Sequence, residues 1–121
     1  QSLQPQALEK LRTLGGEALV SRVVGLFLEL GPQRLQAGRQ ALADGDPGVA
    51  ERSFHSLRSS AANVGAMEVS RLAALLEERL HRGEVDLEDA LDRLEGELAP
   101  VLVELRATVQ PPTDPFNVVP S

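Results

Sequence analysis

The chain has 121 residues, enough for one domain with a real core and too few to give two domains comfortable cores of their own. Its hydrophobic fraction is 42% but its aromatic fraction only 2%, so the core has to be built from Leu, Val and Ala, a composition that favours helices over sheets. Twelve basic against eighteen acidic residues give a net charge of −6, the wrong sign for a nucleic-acid or anionic-membrane surface, and the lack of cysteine excludes disulfides, thiolate metal sites and thiol catalysis.

In chain order, Leu3, Leu8, Leu11 and Leu14 recur at near-helical spacing and predict a short amphipathic helix closed or hinged at Gly15-Gly16. From Glu17 to Leu30 the stripe Leu19, Val20, Val23, Val24, Phe27 and Leu30 predicts a second helix. Gly31-Pro32 interrupts it as a break or a kink, between which the sequence does not choose, and Pro32 suits the first turn of a further helix that carries Leu35, Gly38 and Leu42 inward. After the turn 43–46, Asp46 is placed to cap and Pro47 to begin a helix reaching about Val64, with Ala50, Phe54, Leu57, Ala61 and Val64 on its inner side. Gly65 closes it. The next helix runs from about Met67 to His81 over Val69, Leu72, Ala73, Leu76 and Leu80, and stops at Gly83. The last begins near Asp86 and keeps its apolar register through Leu105 across Pro100, which should bend it.

Short connections between amphipathic helices imply an all-α, mainly antiparallel bundle. The domain is expected over residues 1–109, followed by a Pro-rich flexible tail at 110–121. No apolar run is long enough to span a bilayer and no secretory signal pattern opens the chain, so it reads as cytoplasmic. It begins at Gln1 and not Met, which suggests a segment of something longer.

With successive residues about 100° apart on a helical wheel, His55 falls about 100° from Phe54, away from the inner stripe. Its imidazole is expected to face solvent, with Glu51, Arg58, Ser59 and Ala62 around it. Ser59 and Ala62 are small where a surface helix more often carries Lys, Glu or Arg, which leaves room for a bulky visitor. Arg58 can lay its stem along the bundle and turn its guanidinium toward an anion held by the ring. An exposed imidazole is substantially neutral near pH 7, so one ring nitrogen is free to attack phosphorus. A lone surface histidine is most often only that, and the context decides.

The string Phe54-His55-Ser56-Leu57-Arg58-Ser59-Ser60-Ala61-Ala62-Asn63-Val64-Gly65-Ala66 resembles the signature of histidine-containing phosphotransfer (HPt) domains of bacterial two-component phosphorelays: His-x-Leu-Lys-Gly-Ser, small residues, then Gly-Ala. Leu14-Gly-Gly16, Phe27 to Leu30 with Pro32, the run Ala41 to Asp46, and Leu72 through Glu77 extend the resemblance over most of the chain. The resemblance implies an antiparallel four-helix bundle with accessory N-terminal helices. It implies that His55 accepts a phosphoryl group from a receiver-domain aspartyl phosphate and passes it to another receiver. The chain would then be a carrier without ATP-dependent kinase activity, with Gly65 packing the helix end. It would bind no cofactor of its own, since Mg²⁺ belongs to the partner receiver. The expected partners are response-regulator receiver domains, either one within a parent hybrid sensor kinase or, for a free-standing carrier, those of separate proteins; no nucleic acid, no membrane contact by this segment, and a monomeric state. Arg58 in place of the usual Lys and Ser59 in place of Gly bear on transfer rate and partner choice.

Other features read more plainly. His81 sits where it can meet the C-terminal dipole of its helix, and Glu84, Asp86, Glu88, Asp89 and Asp92 read as capping and a solvated face, without EF-hand spacing. No glycine-rich run precedes Lys and Ser or Thr, so ATP binding is not indicated, and no metal-ligand spacing is present. The competing function is a non-phosphorylated module that binds or sequesters a receiver through the His55 face; a third reading is a purely structural bundle.

Overall fold

The computed structural model describes residues 3–109. Four helices follow in order: α1 (Pro5–Ala43), α2 (Pro47–Asn63), α3 (Met67–His81) and α4 (Glu88–Val109). They pack in a ring, α1 on α2, α2 on α3, α3 on α4 and α4 back on α1, around a shared aliphatic core. Fully enclosed in it are Phe54, Leu57, Leu72, Leu76, Leu91, Leu94 and Leu105.

The expected accessory helix and first bundle helix are both present as two segments of α1 that meet in a kink at Gly16, the single residue inside α1 outside helical geometry (φ 71°, ψ −167°). The bend sends the arm of residues 5–15 across the end of the bundle. Leu3 and Leu8 are buried there, whereas Leu14, expected inward, is 69% exposed because it lies where the arm turns away. At Gly31-Pro32, where the sequence leaves a break or a kink open, α1 runs through Pro32 with helical geometry. Proline removes one backbone donor, but Phe27 before it and Leu35 after it are both buried in the same core, and that burial holds the two sides in line. Pro100 likewise lies inside α4, with Leu98 and Val101 buried on either side of it.

The α1–α2 connection is the predicted turn: the Asp46 carboxylate accepts from the Val49 N–H at 3.3 Å, and Pro47 opens α2. At the other end of α2, Gly65 (φ 83°) reverses the chain. A β-carbon there would stand 2.5 Å from the Gln4 carbonyl oxygen, and the Gly65 carbonyl accepts from the Gln4 N–H at 2.8 Å. Gly65 therefore both turns the chain and seats the N-terminal arm. The segment 110–121, expected to be a tail, lies outside the described residues.

Of the acidic residues read as capping and a solvated face, Glu84, Glu88 and Asp92 have cationic partners. Arg39 of α1 reaches Glu88, Asp92 and Glu95 of α4 at 3.3, 3.1 and 2.8 Å, and Glu84 pairs with Arg79 and Arg82 at 2.8 and 3.3 Å. Sequence spacing within one helix could not reveal the first set, because its cation comes from another helix.

Candidate functional site

Ala50, Phe54, Leu57 and Ala61 turn one face of α2 into the core, and this sets the rotation of the whole helix. His55 then stands on the outer side, its side chain 55% exposed, as the wheel predicts. Ser59 is exposed and Ala62 half-buried, so no long side chain of α2 rises on the two following turns of that face.

The ring has two partners, both at one of its nitrogens. Its Nδ1 lies 2.8 Å from Oε2 of Glu77 on α3, and 2.9 Å from Nη2 of Arg58 one turn along α2. Nε2 has no hydrogen-bond partner among the described residues. Since a carboxylate only accepts, the Glu77 contact calls for a proton on Nδ1, which leaves the lone pair of the neutral ring on Nε2; the Arg58 guanidinium, which only donates, calls for the reverse. Glu77 also meets Arg58: Nε of Arg58 is 3.2 Å from Oε1 of Glu77, within ion-pair range. That N–H is not aligned for a hydrogen bond, and Nε is buried without a partner. Arg58 is thus drawn to the Nδ1 side of the ring and toward α3, and not to the outward Nε2 side.

Glu77 is the residue that reasoning from α2 alone missed. A signal for it exists in the spacing. His55 and Glu77 lie nearly equidistant from the 64–66 connection, so an antiparallel hairpin sets them at the same height, and Glu77 borders the Leu72, Ala73, Leu76 stripe on α3. Nearer the connection, the buried hydroxyl of Ser70 on α3 donates to the Arg58 carbonyl at 2.9 Å and pins α3 to α2.

Glu51 lines the open groove beside His55 together with Gly48, Arg52 and Glu77, but its carboxylate is turned to His81 of α3, Oε2 to Nδ1 3.3 Å. His81, read as serving its own helix terminus, therefore reaches across to α2. Gly65 lies at the far end of α2, away from this groove, in its structural place. On the other flank of α2, Arg34 of α1 donates from Nε to the Ser56 hydroxyl at 2.7 Å, above a mainly apolar groove formed by Val23, Leu26, Phe27 and Leu30. The structure thus brings His55, Arg58, Ser59 and Ala62 onto one surface, with Glu51 at its margin, and adds Glu77.

Among the described residues no cluster of three His, Asp or Glu side chains is disposed to hold a metal ion, and no helix is long and apolar enough to cross a membrane. The arrangement offers one exposed ring nitrogen, a carboxylate behind the other nitrogen, a neighbouring guanidinium and open space in front.

The Hpt domain family model matches residues 22–108. The crystal structure of histidine-containing phosphotransfer protein B (HptB) from Pseudomonas aeruginosa PAO1 superposes with a TM-score of 0.84 at 24% sequence identity, over 90% of this chain and 95% of that one, and shows the same fold. No curated protein matches the chain by sequence.

Proposed function

Since the chain belongs to the Hpt domain family, whose members transfer phosphoryl groups through a histidine in phosphorelays, we propose that His55 is its acceptor residue. The observation that carries the assignment is the pairing of an outward, unpartnered Nε2 with an Nδ1 held by Glu77. In the forward step the Nε2 lone pair attacks the phosphorus of a receiver's aspartyl phosphate. The bond from phosphorus to the aspartyl oxygen breaks, and the aspartate leaves as a carboxylate. The Nδ1 proton stays in place, and the positive charge that develops on the ring is balanced by Glu77. The reverse step delivers the group to a second receiver.

Arg58 supplies a cation within reach of the transferred group once it leaves Glu77, while Ser59 and Ala62 leave the approach clear for a receiver. Mg²⁺ would belong to the receiver and would supply charge neutralisation there; this chain's own contribution is positioning and charge balance. The reading extends to a carrier without ATP-dependent kinase activity of its own, monomeric and cytoplasmic, whose partners are receiver domains, either in separate proteins or in a parent hybrid kinase.

The test is incubation with a phosphorylated receiver, followed by a search for acid-labile, base-stable label on the chain. Label on the wild type and none on His55→Gln is the expected result. Undiminished label on folded His55→Gln overturns the assignment. Receiver binding that survives His55→Ala, with no label on the wild type under any receiver, identifies a sequestering module instead.

A further inference from the structure

Two groups of opposite hydrogen-bonding character converge on the same ring nitrogen. Glu77 Oε2, an acceptor only, is 2.8 Å from Nδ1 of His55, and Arg58 Nη2, a donor only, is 2.9 Å from it. A neutral imidazole nitrogen has a single in-plane position, which holds either a proton or a lone pair. With the proton on Nδ1, the Glu77 contact is a hydrogen bond and the Arg58 contact is a donor facing a donor. With the lone pair there, the Arg58 contact is the hydrogen bond and the carboxylate faces a lone pair. The two contacts cannot be satisfied together by a neutral ring.

Only the first arrangement leaves a lone pair on Nε2, the outward nitrogen. The second puts a proton on Nε2 and removes its nucleophilicity.

We propose that Arg58 is a positioning residue that gates the tautomer of His55: in the resting protein it competes with Glu77 for Nδ1 and holds part of the population in the unreactive form with Nε2 protonated. An incoming aspartyl phosphate draws the guanidinium away toward its own oxygens and so releases the ring to the reactive form. Arg58 is suited to this because it is held weakly where it stands. Its side chain is 40% exposed, and its Nε is buried without a hydrogen bond although Glu77 Oε1 is only 3.2 Å away. An anion offering two oxygens would satisfy the guanidinium better than its present contacts do. The other charged groups at this groove, Glu51 and Arg52, do not contact the ring, and Glu51 is engaged by His81.

This gate rests on the reading of His55 as acceptor, but its test needs no phosphoryl group. The ¹⁵N resonances of the His55 ring, recorded above its titration range on the whole chain, report the ratio of the two tautomers. Arg58→Ala is expected to raise the share with the proton on Nδ1 by about two- to tenfold in ratio, the change that one hydrogen bond of ordinary net strength brings. Glu77→Ala is expected to lower it by a similar factor, because Arg58 is then unopposed. The double substitution should lie between the two. Amide spectra matching the wild type establish that each variant is folded, and Arg58→Gln stands in if the alanine variant is not. An unchanged ratio in folded Arg58→Ala or Arg58→Gln overturns the gate and leaves the acceptor assignment standing. The shifts named above, in a protein that takes up no label at His55, would support the gate while the acceptor assignment failed.

Discussion

Ser59 shows how much of the proposed chemistry depends on what is not there. It is exposed on the same face as His55, one turn further on, and its hydroxyl makes no hydrogen bond among the described residues. Replacement of an exposed residue that contacts nothing shifts stability by no more than about 0.5 kcal/mol. A long cationic side chain at that point would nevertheless stand in the path of a docking receiver. Ser59→Arg is therefore expected to leave the urea midpoint unchanged and to slow phosphoryl uptake from a receiver by about tenfold or more, the effect of about 1.4 kcal/mol of lost docking or positioning. Unchanged uptake would show that the receiver approaches from the other side of the ring. Sequence reasoning reaches His55, Arg58, Ser59 and Ala62 readily, since all four follow from the rotation of one helix. Glu77 belongs to another helix, and its contact with the ring exists only after the hairpin has closed.

Among the elements, α2 owes its position to close packing on both sides. Gly38 of α1 is buried directly against Phe54, the neighbour of His55, and a β-carbon at Gly38 would fall 2.4 Å from the Phe54 ring. Phe54 is fully enclosed and has no room to retreat. Gly38→Ala adds helix propensity worth about 1 kcal/mol but forces overpacking that costs about 1–3 kcal/mol. The expected net result is a loss of stability of up to about 2 kcal/mol, read as a lower urea midpoint. A gain in stability would show that α1 can back away from α2 without strain. Helix boundaries were legible in the sequence wherever a cap or a turn made them, as at Asp46-Pro47. They stayed open between a break and a kink at Gly31-Pro32, where a local breaking signal competes with burial of Phe27 and Leu35 on either side. Such burial depends on a partner helix, and no local pattern carries it.

For the whole molecule, charge is distributed so that acid weakens it in a defined direction. A hydrogen bond from Arg71, reinforced by the nearby charges of Arg71 and Arg93, holds the Glu68 carboxyl below its ordinary range, and a hydrogen bond from Arg79 does the same for Glu84, with Arg82 adding to it. A carboxyl depressed by folding binds fewer protons in the native than in the unfolded chain. Its contribution is complete above the ordinary Glu value of about 4.3 and is lost as pH falls through the lower native value. Unfolding by urea is thus expected to need less denaturant at about pH 3 than at about pH 6, and Glu68→Gln with Glu84→Gln should flatten that dependence. Both carboxyls are exposed, so the effect of the pair is small beside that of the core. A dependence left unaltered by the double substitution would place the acid sensitivity elsewhere.

The linear chain determined by itself the all-helical class, the capped start of α2, the outward face of His55 and the family resemblance. Each of these follows from periodicity, turn chemistry or a contiguous motif, all of which are local. Tertiary structure alone decided that α1 passes unbroken through Pro32, that Arg39 gathers three carboxylates from α4, and that Glu77 and Arg58 meet at one nitrogen of the imidazole. These outcomes depend on which groups antiparallel packing sets at equal height, and residues far apart in sequence acquire a common hydrogen-bonding position only when their helices are in contact.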